Sequence, residues 1–384
     1  MKHSTADLSF KATDFFQDQT AHGLLLSAYN KALALGFFSK IEHSIKLKMK
    51  KRTYSWSDKL KTLWASIVVG CDHTSEINSR LGSHERAAAA LFGLTRFPDQ
   101  SQVNRLLWAF EPSHIDQWRS LHLDLLCRHS RGRCRKRWLK LNNNQRMLAA
   151  DLDQRALTTS SNHFELTRKG YFGRKRGRWG YQLSMAFIGG QIGEVVDEYL
   201  DSGDTAIGHR VDDLLRSLEE FCRRTNIDRN AVLIRGDAQL GTVPNILKIK
   251  ARGFHFLFKG MSSKKARKLL KQVREDAVFW RVENGANRGC AWICDQGSLE
   301  HKHVRRRQTG QAVEARTLLM VRSLNMPSSK RPAPEKRDEL KEQGKIVKRE
   351  VKVDYLLTDL DEKQLPVDKV LEVYHSRSTI ERYF

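Results

Sequence analysis

Three acidic residues stand where their carboxylates could act together. Asp153 lies in the stretch AADLDQRAL, Asp237 ends the stretch VLIRGD, and Glu381 lies in STIERYF. Carboxylate oxygens are the ligands that Mg²⁺ prefers, and Mn²⁺ accepts the same donors. Two such ions about 4 Å apart activate a water or a 3′-hydroxyl and stabilise the leaving oxygen of a phosphodiester. These residues therefore predict metal-dependent phosphodiester chemistry with two Mg²⁺ or Mn²⁺ ions.

The first of these carboxylates has a competitor. Asp151 precedes Asp153 by two residues, and the period-two geometry of a strand places both side chains on the same face. Either residue could therefore point at the site, and either could instead be a buried, hydrogen-bonded aspartate. Asp237 has a simple alternative as well, because an Asp beside turn residues is often only a turn former.

A second set of side chains accompanies Glu381. The differences 377 − 374 = 3 and 381 − 377 = 4 place Tyr374, Arg377 and Glu381 on one stripe of a predicted terminal helix. The fork of an arginine grips a phosphate through two parallel hydrogen bonds, and a tyrosine adds a hydroxyl or a stacking surface. The stripe predicts a DNA contact, although a weak surface ion pair between Arg377 and Glu381 is the ordinary alternative.

The predicted secondary structure that positions these residues changes along the chain from helical to mixed α/β. Residues 1–140 are predicted to be a helical region, and 141–260 follow the order of three strands, helix, strand, helix and strand that is typical of an α/β domain with a mixed sheet. Residues 261–350 have the short strand-like pieces of a β-rich insertion. The sheet is expected to resume in 351–384 with a last strand and a final helix.

The helical region contains a candidate for reading DNA. Short helices separated by Gly, Ser or Pro suit a helix-turn-helix protein, with Gln100–Phe110 as the recognition helix, capped by Asp99 or Ser101. Its exposed residues are predicted to be Gln102, Asn104 and Arg105. A plain helical bundle with solvated basic residues is the alternative.

The net charge of the chain indicates which kind of partner it binds. Lys and Arg number 68 against 44 acidic residues, 68 − 44 = +24, and a field of that sign favours a polyanion such as double-stranded DNA. The sequence has no apolar stretch of membrane-spanning length and no signal-peptide core at its start, so a cytoplasmic protein without a membrane partner is expected. Its cysteines lack the paired CxxC spacing of a zinc ribbon.

The stretches DLDQRAL, VLIRGDAQLG, YLLTDL and YHSRSTIE resemble the motifs of bacterial insertion-sequence transposases of the DD-E class. In the subgroup with a Tyr-Arg-Glu-Lys signature, the first three signature residues have the spacing of Tyr374, Arg377 and Glu381, and the separations 237 − 153 = 84 and 381 − 237 = 144 suit the pattern. The resemblance covers roughly residues 55–384.

This resemblance implies a ribonuclease H-like mixed sheet with flanking helices, interrupted by a β-rich insertion and preceded by an all-α DNA-binding region. Asp153, Asp237 and Glu381 would be the metal-binding catalytic triad, while Tyr374 and Arg377 would contact the transposon end. The implied activity is cleavage at the terminal inverted repeats and transfer of the 3′ ends to target DNA. The protein would act as a homodimer on DNA in the bacterial cytoplasm, associated with the nucleoid.

The Lys of the signature would follow Glu381 by seven residues, beyond Phe384. The chain is therefore expected to be a C-terminally truncated or frameshifted transposase, or the first part of one made from two reading frames. Two rival hypotheses remain: a catalytically inactive protein or regulator that only binds the element's ends, and a metal-dependent nuclease of repair or restriction. The second rival keeps the carboxylates but leaves the spacing of Tyr374 and Arg377 unexplained.

Overall fold

A computed structural model describes residues 20–50, 53–142, 145–160, 162–170, 172, 177–283, 286–302, 308–323, 339, 342–343 and 351–383. The chain divides into two compact units, Met1–Asp124 and Leu125–Phe384. Each unit has its own core and is considered by itself.

The described elements of the first unit are helices. They are α1 (Gly23–Ala34), α2 (Phe37–Ser44), α3 (Trp56–Val68), α4 (Ile77–Arg80), α5 (Arg86–Leu91) and α6 (Gln100–Trp108); a longer helix, α7 (Pro112–His129), contains the boundary between the units. Aromatic rings fill the centre of this unit. The ring of Phe92 lies 4.2 Å from that of Tyr29 and 5.5 Å from that of Phe97, centroid to centroid, so Phe92 is the hub around which the short helices pack.

The second unit is built on a mixed sheet, which confirms the predicted α/β class. Its strands are β1 (Leu139–Lys140), β2 (Arg146–Thr158), β3 (Arg168–Lys169), β4 (Trp179–Ile188), β5 (Glu194–Ser202), β6 (Val232–Gly236), β7 (His255–Lys259), β8 (Phe279–Glu283), β9 (Ala286–Lys302), β10 (Gln308–Ser323) and β11 (Val351–Thr358). The order across the sheet is β3-β4-β2-β6-β7-β11-β10-β9-β8, with β5 paired to β4 and β1 to β2.

The centre of the sheet follows the predicted order of elements. β2, β4 and β5 are antiparallel neighbours, whereas β6 and β7 run parallel to β2. Parallel neighbours need a crossover, and α8 (Val211–Thr225) and α9 (Val243–Ala251) supply it. β6 is fully buried, as expected for a strand covered on both faces.

The strands of the predicted insertion extend this same sheet. After α10 (Ser263–Leu270), β8, β9 and β10 form antiparallel pairs that join the central strands through β11. β11 pairs with β7 on one side and with β10 on the other, so β10, β9 and β8 continue the sheet outward and β8 is its edge strand. The stretch 324–350 of the predicted insertion, apart from residues 339, 342 and 343, lies outside the described residues.

The end of the described chain is two helices, α12 (Val367–His375) and α13 (Ser378–Tyr383). The prediction of one continuous terminal helix is therefore wrong, and the break falls at Ser376 and Arg377. Val370, Leu371 and Val373 of α12 pack into the main core of the sheet. Among the described residues, no helix is both long enough and apolar enough to cross a bilayer.

Replacing Leu371 by Ala should lower the free energy of unfolding by about 2–5 kcal/mol, because this side chain is 2% exposed and its removal leaves a cavity under α12. Urea unfolding measures the loss. The matched control is Leu200→Ala, since Leu200 is 53% exposed and its truncation should change stability by about 0.5 kcal/mol or less. Equal losses in the two variants would contradict the packing of α12 on the sheet.

Candidate active site

Two aspartates lie level with each other on adjacent parallel strands. The β2–β6 register pairs Asp151 with Arg235, an offset of 235 − 151 = 84, and the same offset brings Asp153 level with Asp237, directly after β6. The carboxyl ends of parallel strands are where α/β sheets place their sites. Asp237 is close enough that its charge raises the pKa of Asp153. The two sequence-predicted aspartates therefore share one site.

The carboxylate of Asp151 is bound by Arg235 and is not available to a ligand. Its two carboxylate oxygens accept hydrogen bonds from Nε and Nη2 of Arg235 at 2.7 and 2.8 Å, and both side chains are 0% exposed. A bidentate, fully buried pair of this kind leaves no open face on the carboxylate. Of the two aspartates, Asp151 is enclosed in its pair with Arg235, whereas Asp153 contacts Arg377.

Arg235 also breaks the terminal helix. Its Nη1 donates to the carbonyl oxygen of Val373 and to Oγ of Ser376 at 2.5 Å. In a continuous helix the carbonyl of Val373 would accept from the amide of Arg377, but that amide instead bonds to the carbonyl of Tyr374 at 3.2 Å. The chain therefore turns at Ser376 and Arg377 before α13 begins.

The turn places Arg377 between two predicted ligands. Its Nη1 donates to Asp153 at 2.8 Å and its Nη2 to Glu381 at 3.3 Å. Arg377 and Asp153 are only 12% and 15% exposed, whereas Glu381 is 61% exposed. Ile380 fixes α13 by packing against Met185 and Phe187 of β4. Glu381 thus belongs to the site through Arg377.

Tyr374 completes this group from the last turn of α12. Its ring lies 6.0 Å from the guanidinium carbon of Arg377. Burial, together with Asp237 and Asp354 and against the effect of Arg377, raises the pKa of Tyr374 to about 12. Its phenol therefore remains protonated and able to donate a hydrogen bond. We call Asp153, Asp237, Tyr374, Arg377 and Glu381 the carboxylate cluster.

The charges and the burial around Asp153 favour the presence of a cation beside its carboxylate. Burial raises the pKa of its carboxyl, and Asp237 adds to that shift, while Arg377 and the amide of Gln154 oppose it. Two carboxylates at the same site are more stable when a positive charge lies between them. Arg377 is that positive charge in this structure.

Asp153 and Asp237 suit a hard cation such as Mg²⁺, which binds through one or two carboxylates and keeps its remaining positions for waters and phosphates. Across the part of the chain that the structure describes, no group of three or more His, Cys, Asp or Glu side chains is arranged to hold a metal ion. The carboxylate of Glu381 accepts a hydrogen bond from Arg377, so in this structure it is linked to Asp153 through that arginine.

The predicted DNA-reading residues lie in the first unit. α6 occupies Gln100–Trp108, and of the two predicted caps it is Asp99 that accepts from the amide of Gln102, at 3.1 Å. Arg105 is exposed, and Gln102 and Asn104 are half-buried. Gln102 lies one helical turn before the buried Leu106, and Asn104 follows the buried Val103. Only Arg105 is exposed as predicted, and the prediction that Gln102 and Asn104 are exposed is wrong.

Sequence reasoning missed three residues that build the site. Arg235 and Ser376 hold the helix break, and Gly189 leaves the space for the buried pair, since a Cβ there would lie 2.1 Å from Oδ2 of Asp151. Arg235 did carry a signal, because it is the one charged residue within the apolar strand VLIRG. A buried arginine in such a strand requires a carboxylate partner.

Comparison with known proteins gives no matching family model and no curated protein of significant similarity. The geometry of the site therefore carries the functional argument.

Replacing Gly189 by Ala should destabilise the second unit by about 3 kcal/mol or more, because the new Cβ separates the buried Asp151–Arg235 pair and leaves its charges poorly compensated. The midpoint of urea unfolding measures the effect. Gly208→Ala is the control, since the nearest atom to its Cβ would be 3.8 Å away. A Gly189→Ala protein as stable as the control would refute the close approach.

Proposed function

We propose that this chain is a DNA transposase of the DD-E class, which cuts the ends of its element by metal-dependent phosphodiester hydrolysis and joins the 3′ ends to target DNA. The observation that carries the proposal is the convergence of Asp153, Asp237 and Arg377 at one edge of the sheet, with Arg377 linking Asp153 to Glu381. Asp153 and Asp237 are 84 residues apart along the chain, and Asp237 and Glu381 are 144 apart, yet Asp237 lies level with Asp153 and Arg377 contacts both Asp153 and Glu381.

The fold supports the same proposal. A mixed α/β sheet carries the aspartates, and additional β-strands enter between Asp237 and the final helices. This agrees with a ribonuclease H-like domain interrupted by a β-rich insertion. The exposed Arg105 of α6, with the half-buried Gln102 and Asn104, would bind the terminal inverted repeats, and the protein would act as a homodimer on bacterial DNA.

Asp153 and Asp237, joined by Glu381, would hold Mg²⁺ or Mn²⁺. Two such ions, when bound, supply a strong nucleophile and neutralise the leaving oxygen. Arg377 would turn its donors to a DNA phosphate, for which its planar fork is suited. Tyr374, protonated because its pKa is raised to about 12 by burial, would donate a hydrogen bond to the same backbone.

A second candidate function is binding of the element's ends without cutting. Two observations favour it: Glu381 is 61% exposed and bound to Arg377, and no three-ligand metal group is formed among the described side chains. Such a protein would regulate transposition by occupying the ends.

Cleavage of a labelled duplex carrying the element's own ends separates the two functions. Wild-type protein with Mg²⁺ or Mn²⁺ should cut, and Asp237→Asn should lower the rate by about 10³-fold or more, because a metal-binding carboxylate is lost. Asp228→Asn is the matched control, since Asp228 is an exposed loop residue before β6, and it should cut at the wild-type rate.

Binding by both wild type and Asp237→Asn without cutting by either would overturn the catalytic proposal and support end binding alone. Equal cutting by the two proteins would remove Asp237 from the catalytic site.

The cleavage rate at subsaturating Mg²⁺ should fall as pH drops through a midpoint above 3.8, the ordinary value for an aspartate, because burial raises the pKa of Asp153 and only its ionised form binds a cation. Arg377→Gln should move this midpoint further upward, since Arg377 is the main group that lowers this pKa. More Mg²⁺ should move it downward. A midpoint unchanged by Arg377→Gln would show that Asp153 does not control the profile.

A further inference from the structure

Four cationic side chains stand in register across the strands of the β-rich edge. Arg281 of β8 pairs with Arg288 of β9, Arg288 pairs with Arg322 of β10, and Arg322 pairs with Lys352 of β11. Directly opposed residues on neighbouring antiparallel strands point to the same face of a sheet. We call Arg281, Arg288, Arg322 and Lys352 the cationic row.

Like charges directly opposite each other destabilise a sheet unless another group compensates them. Arg281 has Glu372 of α12 at 3.9 Å, and Arg288 contacts Nε2 of His375 at 2.9 Å. Arg322 and Lys352 are exposed, and no residue within the described ranges forms a hydrogen bond or ion pair with either side chain. Arg322 and Lys352, at the β10–β11 end of the row, therefore carry uncompensated positive charge.

A small cavity opens on this face. Its volume is about 100 Å³, and its polar lining consists of Arg288, Arg322, Lys352, His375 and Asp354. A cavity of this volume has room for several waters or for one tetrahedral phosphate group.

The two carboxylates facing the row already have cationic partners. Asp354 is paired with Lys259 at 2.9 Å, and Glu372 with Lys369 at 3.1 Å. The lining therefore favours an anion of tetrahedral, phosphate-like size.

The shape of the row favours a chain of phosphates over a single ion. Strands lie about 4.8 Å apart, so four side chains in register span about 14 Å, which is more than one phosphate can contact. Successive phosphates of a nucleic acid strand supply negative charge over such a length.

The cationic row also lies beside the carboxylate cluster. Tyr374 and His375 are consecutive residues of α12, with ring centroids 6.0 Å apart. Tyr374 belongs to the cluster, while His375 contacts Arg288 of the row. A DNA strand whose scissile phosphate lies at Asp153 and Asp237 is thus within reach of the row.

We propose that Arg281, Arg288, Arg322 and Lys352 bind the phosphodiester backbone of the DNA strand that passes the carboxylate cluster. The assignment rests on the proposed function for its choice of ligand. The contact is to phosphates, so it fixes the position of the strand and carries no base specificity.

The test is the salt dependence of DNA binding. Binding of the full chain to a fluorescein-labelled duplex of about 30 base pairs is followed by anisotropy in EDTA, which excludes cleavage. Each neutralised phosphate contributes about 0.9 to the slope of log K against log salt. Arg322→Gln/Lys352→Gln should therefore reduce the slope by about 1 to 2, and Arg322→Lys should retain it.

The matched control is Lys250→Gln/Lys363→Gln. It removes the same charge from two exposed lysines that do not belong to the row, in α9 and after β11, and should leave the slope at the wild-type value. Urea midpoints of all variants establish that they are folded.

Equal slopes in the two double variants would overturn the proposal. If the slopes are equal but sodium phosphate raises the melting temperature of wild type more than sodium chloride of the same ionic strength, and this excess is lost in Arg322→Gln/Lys352→Gln, the row binds free phosphate and the DNA assignment fails. A reduced slope in that variant, together with no Mg²⁺-dependent cutting by wild type, supports the row while overturning the proposed catalysis.

Discussion

The ion pair between Asp151 and Arg235 is the contact on which the arrangement of the site depends. Both side chains are fully buried, so each charge needs the other as a partner; removing either one would leave an uncompensated charge, at a cost of about 3–5 kcal/mol. The pair joins β2 to β6 in the register that levels Asp153 with Asp237. Its space is made by Gly189, where any side chain would collide with the carboxylate.

The same arginine sets the direction of the chain after α12. Arg235 donates hydrogen bonds to the carbonyl oxygen of Val373 and to the hydroxyl of Ser376. The carbonyl of Val373 therefore does not accept the amide hydrogen bond that would continue the helix. The resulting turn brings Arg377 to Asp153, and the burial of Ile380 against β4 holds α13 in place. The Asp151–Arg235 pair thus positions the pair between Asp153 and Arg377, although the side chain of Arg235 itself has no exposed surface.

The sequence was sufficient for features that depend on local pattern. The alternation of strands and helices predicted the mixed sheet, and Asp237 could be placed at a strand end from VLIRGD alone. Features that depend on register could not be predicted. The partner of Arg235 lies 235 − 151 = 84 residues away, and the helix break follows from a side chain that arrives from another strand.

The cationic row was missed for the same reason. Its four members are dispersed from Arg281 to Lys352, and they align only through the pairing of β8, β9, β10 and β11. A run of basic residues shows where positive charge is continuous along the chain. A sheet brings together basic residues from different strands, which such a run does not show.

The three carboxylates of the cluster differ in how firmly they are held. Asp153 is a mostly buried residue within β2, and Asp237 is tied to the turn after β6 by the amide of Gln239 at 2.9 Å. Glu381 is held more weakly, by one 3.3 Å hydrogen bond from Arg377, and most of its side chain is exposed. An exposed ion pair contributes little free energy, so Glu381 can change partners at low cost while the aspartates cannot. In the proposed metal site, the strands would therefore supply the two firmly held aspartates, and Glu381 would join them only if Arg377 released its carboxylate.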